Sequence, residues 1–186
     1  MNGASLAGLS LVSMTRFGEA ALPRRPVQGG RSLDPGDPAV YAVTDFTRDY
    51  PITVDAERQI DDALNEMIHL GVRALLAAKS QRLVGLITSY DIQGERPMQF
   101  LETSTVRRHQ DIRVADIMTP WDRLWALEWQ SVESARAADL LTVFEETGLT
   151  HLLIVETDRQ NSTTTVRALA SRARLMRQLK GLRRVG

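Results

Sequence analysis

A stretch of 12 residues indicates the fold class, because it occurs in two similar copies along the chain. It is IDDALNEMIHLG at residues 60–71, and its second copy is AADLLTVFEETG at residues 137–148, which begins 77 residues later. Each copy carries apolar residues at helical spacing on one face. Each copy also ends in glycine, which is typical of a helix that stops at a C′ glycine. The chain is therefore predicted to be an internal repeat in which this helix occurs once per copy.

The residues on both sides of these helices extend the repeat to a β-α-β-β-α unit. In the first copy, residues 52–54, 73–78 and 82–88 predict strands, and a second helix follows from Ser89. In the second copy, residues 151–155 and 166–170 predict the equivalent pair of strands. The offset rises there from 77 to 83, which predicts a six-residue insertion in the polar loop 158–163. The predicted fold class is α/β, with two pseudo-symmetric β-α-β-β-α repeats.

The three tryptophans, Trp121, Trp125 and Trp129, lie at the start of the second copy and are spaced by four residues. Trp129 corresponds to Ile52 at the offset of 77, so it is predicted in a strand that faces the core. Packing in the core or in a dimer is the preferred role for the tryptophans, and base stacking is the alternative.

The first 40 residues differ from the rest, since they hold 4 of the 7 prolines and 6 of the 12 glycines. They are predicted to form a Gly/Pro-rich extension that is partly disordered or lies on the core, with a short helix considered near Ser5–Phe17. The predicted organisation is an extension at 1–40, a first repeat at 41–95, a connection at 96–113, a second repeat at 114–180 and a basic tail at 181–186.

Composition excludes several classes of protein. The chain has 186 residues, no cysteine, and 23 basic against 23 acidic residues. Without cysteine there is no disulfide framework, no thiolate metal site and no cysteine nucleophile. The apolar runs are too short to span a membrane, and the N-terminus lacks the basic segment of a secretory leader, so the expected location is the cytoplasm.

No motif points to catalysis. The chain contains neither a G-x-S-x-G nucleophile motif nor a phosphate-binding P-loop, and its three histidines lack metal-ligand spacing among themselves. We therefore expect neither an enzyme nor a metal protein.

Three features of the repeat resemble the CBS domain family, which is named after cystathionine β-synthase. They are the DIMT segment at residues 116–119, the apolar strand after each glycine-ended helix, and GLITSYD at residues 85–91, which matches the family pattern G-h-h-T-x-x-D in full. The resemblance covers about residues 41–180. It implies a tandem pair of repeats that face each other across a cleft, and a homodimer of such pairs.

The resemblance also implies a regulatory function. CBS pairs bind adenosine-containing ligands in the cleft between the repeats, so AMP, ADP, ATP and S-adenosylmethionine are the candidate ligands, and no cofactor is required. Thr88 and Asp91 are the implied ligand residues. A carboxylate can accept two hydrogen bonds from a ribose diol, and a hydroxyl at a helix start can bond a phosphate. Gly85 is expected to let the backbone approach the ligand closely.

The second copy departs from this pattern. Its equivalent stretch is ALASRAR at residues 168–174, so Ser171 replaces Thr88 and Arg174 replaces Asp91. Arginine accepts no hydrogen bond, which argues against a second ribose site of the same kind. Arg172 and Arg174 are expected instead to hold phosphate groups.

Alternatives remain open at this stage. Thr88 and Asp91 could serve only to cap the helix that follows them, and the aspartates of the segments before each repeat could serve only in turns and caps. The chain could be a ligand-free scaffold that dimerises and binds an unknown partner protein. Residues 166–186 carry a local charge of +7, so nucleic-acid binding through this basic C-terminus is the third hypothesis and the least favoured.

Overall fold

The computed structural model of the chain describes residues 5–6, 8–13, 20–21, 32–158 and 163–179. The chain divides into two compact units, one made of Pro51–Leu124 and the other of Met1–Tyr50 together with Trp125–Gly186. Among the described residues, no helix is both long enough and apolar enough to cross a membrane.

Strands and helices alternate along the described residues as expected for an α/β protein. The strands are β1 (Ser5–Leu6), β2 (Leu9–Ser13), β3 (Ala20–Ala21), β4 (Val43–Asp45), β5 (Thr53–Asp55), β6 (Ala74–Lys79), β7 (Arg82–Thr88), β8 (Thr119–Pro120), β9 (Trp125–Glu128), β10 (His151–Asp158) and β11 (Thr163–Ser171). The helices are α1 (Ile60–Leu70), α2 (Ser89–Gln93), α3 (Arg96–Thr103), α4 (Val114–Ile117), α5 (Trp129–Ser134), α6 (Ala137–Thr147) and α7 (Arg172–Gln178).

The unit Pro51–Leu124 contains a four-stranded sheet in the order β5-β6-β7-β8. β5 runs parallel to β6, whereas β6–β7 and β7–β8 are antiparallel pairs. The apolar face of α1 covers this sheet, and Ile60, Ala63 and Met67 are almost completely buried there. This is the helical face that the sequence predicts.

In the other unit, the described residues form a seven-stranded sheet. Its main path has the order β1-β2-β9-β10-β11-β3, and β4 also pairs with β11. The core contains the equivalent helix face of α6, with Ala137, Leu140 and Phe144 fully buried. The predicted α/β class and the repeated unit are therefore confirmed.

The two copies agree in local detail. α1 and α6 have the same length and lie 77 residues apart, and both end at a glycine in the left-handed region, Gly71 at φ 67° and Gly148 at φ 68°. The two central hairpins even share a register shift, which falls between Ala77 and Ala78 in one copy and between Ile154 and Val155 in the other. The predicted C′ glycines are confirmed, because glycine adopts this conformation without steric cost.

The six-residue insertion is not confined to the predicted loop. β10 and β11 are each two residues longer than their counterparts β6 and β7, so the longer strands absorb most of the insertion. Residues 159–162 of the loop lie outside the described residues. A hairpin can lengthen in this way because each added pair of residues forms its own ladder hydrogen bonds.

Trp129 does not lie in a strand, and that prediction is wrong. The strand is β9, and Trp129 is the first residue of the extra helix α5, which lies between β9 and α6. Leu127 is therefore the counterpart of Val54, since both occupy the middle pair with the neighbouring parallel strand. The offset of 77 relates α1 to α6 but does not relate β5 to β9, because α5 lengthens the connection between β9 and α6.

The N-terminal extension contributes strands rather than a helix at the residues that the structure describes. β2 pairs with β9 in antiparallel fashion, and β3 pairs with β11 in parallel. A helix over Ser5–Phe17 is therefore wrong at residues 5–6 and 9–13, and residues 14–17 lie outside the described part. Strand pairing is favoured over a helix here because it satisfies backbone hydrogen-bonding groups that the edge of the sheet would otherwise expose. Residues 32–42 do lie on the core, with Leu33 and Ala39 fully buried.

The residue ranges of the two compact units do not coincide with the predicted repeats 41–95 and 114–180. Residues 41–50 belong with the second copy, and residues 96–124, including the predicted connection 96–113, belong with the first. The physical reason is strand pairing. β4 pairs with β11, and β8 pairs with β7, so each segment that precedes a repeat joins the sheet of the other copy.

Candidate functional site

Thr88 and Asp91 form a capping box where β7 leads into α2. The Oδ2 atom of Asp91 accepts a hydrogen bond from the Thr88 backbone N–H at 2.8 Å and another from the Thr88 hydroxyl at 2.7 Å. The Asp91 backbone N–H donates in turn to Thr88 Oγ1 at 3.2 Å. The structure therefore brings together the two residues that the motif singled out, and it gives them the capping role that the sequence left open.

Arg96 is the third member of this cluster, and no sequence motif singles it out. Its Nη1 atom lies 3.0 Å from Asp91 Oδ1, and it donates to the Ile117 carbonyl at 2.8 Å and to Thr119 Oγ1 at 3.1 Å. The Asp91 side chain is only 13% exposed, whereas Arg96 is 44% exposed. Arg96 thus links the buried carboxylate to the segment that precedes the second repeat.

Gly85 packs closely against a neighbouring strand. A Cβ atom at this position would lie 2.5 Å from the Thr119 carbonyl oxygen and 2.8 Å from Met118 Sδ. The close approach that glycine permits is therefore made by β8, which pairs with β7 at Gly85 and Leu86. Glycine is needed here because the backbone of β8 occupies the space of a side chain.

The second copy has a different set of contacts at the equivalent place. Ser171 precedes α7, and its side chain makes no capping hydrogen bond. Arg174, at the position of Asp91, donates through Nη1 to the hydroxyl of Thr44 on β4. The backbone N–H of Arg172 donates to the Thr150 carbonyl. In the first copy, the backbone N–H of Ser89 donates to the Arg73 carbonyl in the same way.

The register of the two segments identifies Thr44 and Thr119 as counterparts. Thr44 lies opposite Leu169 on β11, and Thr119 lies opposite Leu86 on β7, at positions related by the offset of 83. An arginine donates to this threonine in both copies. In the first copy it is Arg96, which also pairs with Asp91, and in the second it is Arg174 itself.

The buried Asp45 and the partly exposed Arg167 form a second polar cluster. Asp45 Oδ1 accepts hydrogen bonds from the backbone and hydroxyl of Thr47 and from Arg167 Nε at 3.0 Å. Arg167 also pairs with Glu156 and lies 4.4 Å from the centroid of the Trp129 ring. Burial raises the pKa of Asp45, but the hydrogen bonds from Thr47 and Arg167 outweigh it and lower the pKa below its ordinary value of 3.8.

Asp116 lies in the first turn of α4 and caps this helix as Asp91 caps α2. Its Oδ2 atom accepts the Arg113 backbone N–H at 2.8 Å, where α4 begins. Turn and cap chemistry therefore accounts for Asp45 and Asp116, as their positions in the sequence suggested.

Only part of the basic C-terminus belongs to the described structure. Arg167 and Arg174 are engaged with Asp45 and Thr44, respectively. Lys180, Arg183 and Arg184 lie outside the described residues, as does the predicted tail 181–186. Two of the seven basic side chains in residues 166–186 therefore contact other residues of the protein itself.

Comparisons with known proteins identify one CBS domain match and several structures of similar fold. Residues 43–96 match the family model described as CBS domain. An uncharacterized conserved protein from Pyrococcus horikoshii is 19% identical, with a TM-score of 0.52 over 78% of this chain and 93% of that one. A protein from Methanocaldococcus jannaschii, proposed to be an archaeal homolog of g-AMPK, is 17% identical, with a TM-score of 0.50 over 78% of this chain and 48% of that one.

A further similar structure is that of CBSX2 in complex with AMP, which is 19% identical at a TM-score of 0.49 over 76% of this chain and 95% of that one. No curated protein matches the chain. The matched residues 43–96 contain the whole GLITSYD motif, and the second half of the chain repeats the same unit. The chain therefore contains a segment, residues 43–96, that matches the CBS domain.

Proposed function

We propose that the protein is a regulatory module that binds an adenosine-containing ligand, AMP, ADP, ATP or S-adenosylmethionine, and signals its presence to a partner protein. In this proposal Asp91 binds the ribose hydroxyls and Thr88 binds a phosphate or an adjacent polar group. The module acts by binding alone, without a catalytic step. The observation that carries the proposal is the convergence of the Thr88 hydroxyl and the Asp91 carboxylate, 2.7 Å apart, within the matched CBS domain.

The hydrogen bonds of Asp91 predict what must change when a ligand binds. A carboxylate offers about four lone-pair positions. Three of them are occupied, two by Thr88 and one by Arg96. A ribose diol donates two hydrogen bonds, so one present partner has to leave. Arg96 is the partner that leaves, since its side chain is 44% exposed and it also donates to Ile117 and Thr119.

The second copy argues against a second ribose site, so the protein is proposed to have one. Its position equivalent to Asp91 is Arg174, and Ser171 makes no cap. We assign Ser171, Arg172 and Arg174 to an anion-binding role, in which their donors bind phosphate oxygens. Arg174 has to exchange its contact with Thr44 for such a ligand.

Calorimetric titration of the protein with each of the four ligands tests the proposal. The informative variant is Asp91→Asn, which keeps the volume and a capping acceptor but removes the charge. We expect the affinity to fall by at least about 10-fold, the effect of losing a charge-assisted hydrogen bond.

Asp139→Asn is the matched control, because Asp139 makes the same capping hydrogen bond, from the Arg136 N–H at 2.8 Å, at the start of α6. It should bind like the wild type. The absence of binding by all four ligands would refute the sensing function, and equal binding by Asp91→Asn would refute the assigned site.

A second candidate function, a ligand-free scaffold that forms homodimers and binds a partner, is favoured by exposed apolar side chains. In the unit Pro51–Leu124, α1 leaves Ile68 69% exposed and Leu70 46% exposed, and Met98 of α3 is 59% exposed. Exposed apolar side chains that form a contiguous patch mark protein interfaces.

Sedimentation velocity tests the homodimer. Ile68→Lys should shift a dimer toward monomer, whereas Met176→Lys, on the exposed part of α7, should not. A monomeric wild type at all concentrations would refute self-association. A dimer that binds none of the four ligands would favour the scaffold over the sensor.

A further inference from the structure

A cavity of about 420 Å³ lies within the unit Pro51–Leu124. One wall is the side of α3, and the other is the segment from Asp116 to Pro120, with Arg123 beside it. Its volume is in the range of small-molecule sites. Gly85, Thr88 and Asp91 do not line it, so it is distinct from the site proposed above. The polar side chains that line it are Arg96, Gln99, Thr103, Asp116, Thr119 and Arg123.

The cavity contains two guanidinium groups with unused donors. Arg123 is exposed and makes no hydrogen bond or ion pair with any residue in the described ranges. Arg96 makes its described contacts through Nη1 alone, so its Nε and Nη2 donors remain available within the described part of the chain. The carboxylate of Asp116 is the single acidic group of the lining, and it already accepts the Arg113 N–H. The lining therefore carries a formal charge of +1.

Two guanidinium groups in one cavity favour a phosphate over a carboxylate. A carboxylate pairs with one guanidinium in bidentate geometry, whereas a phosphomonoester carries more charge and enough acceptor oxygens for two. The lining also includes apolar side chains, Phe100, Ile117 and Met118 among them. These side chains suit a molecule that has an apolar or aromatic group beside its phosphate.

We propose that this cavity is a separate binding site for a small phosphorylated molecule, with its phosphate on Arg96 and Arg123 and its apolar part against Phe100 and Met118. The proposal does not depend on the nucleotide site. It does share Arg96 with it, because this arginine both lines the cavity and pairs with Asp91.

Titration with phenyl phosphate and with inorganic phosphate, followed by calorimetry or by chemical shifts, tests the site. Phenyl phosphate should bind the wild type more tightly than inorganic phosphate does. Arg123→Gln should weaken phenyl phosphate by at least about 10-fold, the value of a charge-assisted hydrogen bond. Arg123 has no described partner, so this variant is expected to keep its fold.

Arg107→Gln is the matched control, because Arg107 is an exposed arginine of the same unit that does not line the cavity. Its affinity for phenyl phosphate should equal that of the wild type. An equal loss in both arginine variants, or no binding by the wild type, would overturn the site. Equal affinity for the two phosphates would overturn the role of the apolar side chains.

Asp91→Asn separates this site from the nucleotide site. It should bind phenyl phosphate at least as tightly as the wild type, since Arg96 is then released from its ion pair. Loss of phenyl phosphate binding in Asp91→Asn would overturn the cavity site, which needs no carboxylate at Asp91, while the proposed function would stand.

Discussion

The substitution Gly85→Ala distinguishes a packing role for this glycine from a ligand role. Its Cβ atom would lie 2.5 Å from the Thr119 carbonyl oxygen, where ordinary contacts begin near 3.4 Å. The oxygen belongs to backbone and cannot rotate away, so β8 has to shift by roughly 1 Å. A shift of that size stretches the hydrogen bonds between β7 and β8 beyond good geometry.

The expected cost of this substitution is about 1–3 kcal/mol, the usual range for overpacking a well-packed site. For a chain of this length, a loss of about 2 kcal/mol lowers the melting temperature by roughly 4–8 °C. Thermal unfolding followed by circular dichroism measures it. Gly36→Ala is the control, because a Cβ atom at Gly36 meets nothing within 4 Å. If Gly85→Ala melts within about 1 °C of the wild type, the packing argument is wrong.

Three further outcomes are expected. Ser80 and Gln81 form the two-residue turn between β6 and β7 with φ values of 50° and 64°, so replacing them with Asn-Gly should raise the free energy of unfolding by about 1–2 kcal/mol in urea titrations. A drop in stability would contradict this. Because the pKa of Asp45 is lowered by Thr47 and Arg167, its contribution to stability is complete above its ordinary pKa of 3.8 and is lost as the pH falls through the lowered value. The stability gap between wild type and Asp45→Asn should thus shrink in acid, and a gap independent of pH would refute the assignment. If both proposed sites exist, phenyl phosphate should strengthen AMP binding by drawing Arg96 from Asp91, and AMP should strengthen phenyl phosphate equally.

Local sequence signals predicted the repeated elements closely. The helical face of α1 and α6, their glycine ends and the two central hairpins all depend on residues within a few positions of one another. The predictions failed where an element had no periodic signal of its own. The extra helix α5 shifted the preceding strand, and the two short segments β4 and β8 had no pattern that could specify their partners.

The candidate site was predicted in part. The sequence pointed to Thr88 and Asp91 because they lie three residues apart at the start of one helix. It could not point to Arg96, whose contacts with Ile117 and Thr119 span 21 and 23 residues. The contact between Gly85 and β8 was not predicted for the same reason, because β8 approaches this glycine from a distant part of the chain.

The α/β repeat, its helices and hairpins, and the threonine–aspartate pair of the motif can be predicted from the sequence, since all of these arise from spacing along one short segment. The tertiary structure was needed to show which sheet each connecting segment joins. It also showed that Asp45 pairs with Arg167, 122 residues away, and that Arg96 connects Asp91 to Thr119. Segments of two or three residues carry too few side chains to specify a partner, so their pairing depends on backbone hydrogen bonds and on the space that a residue such as Gly85 leaves open.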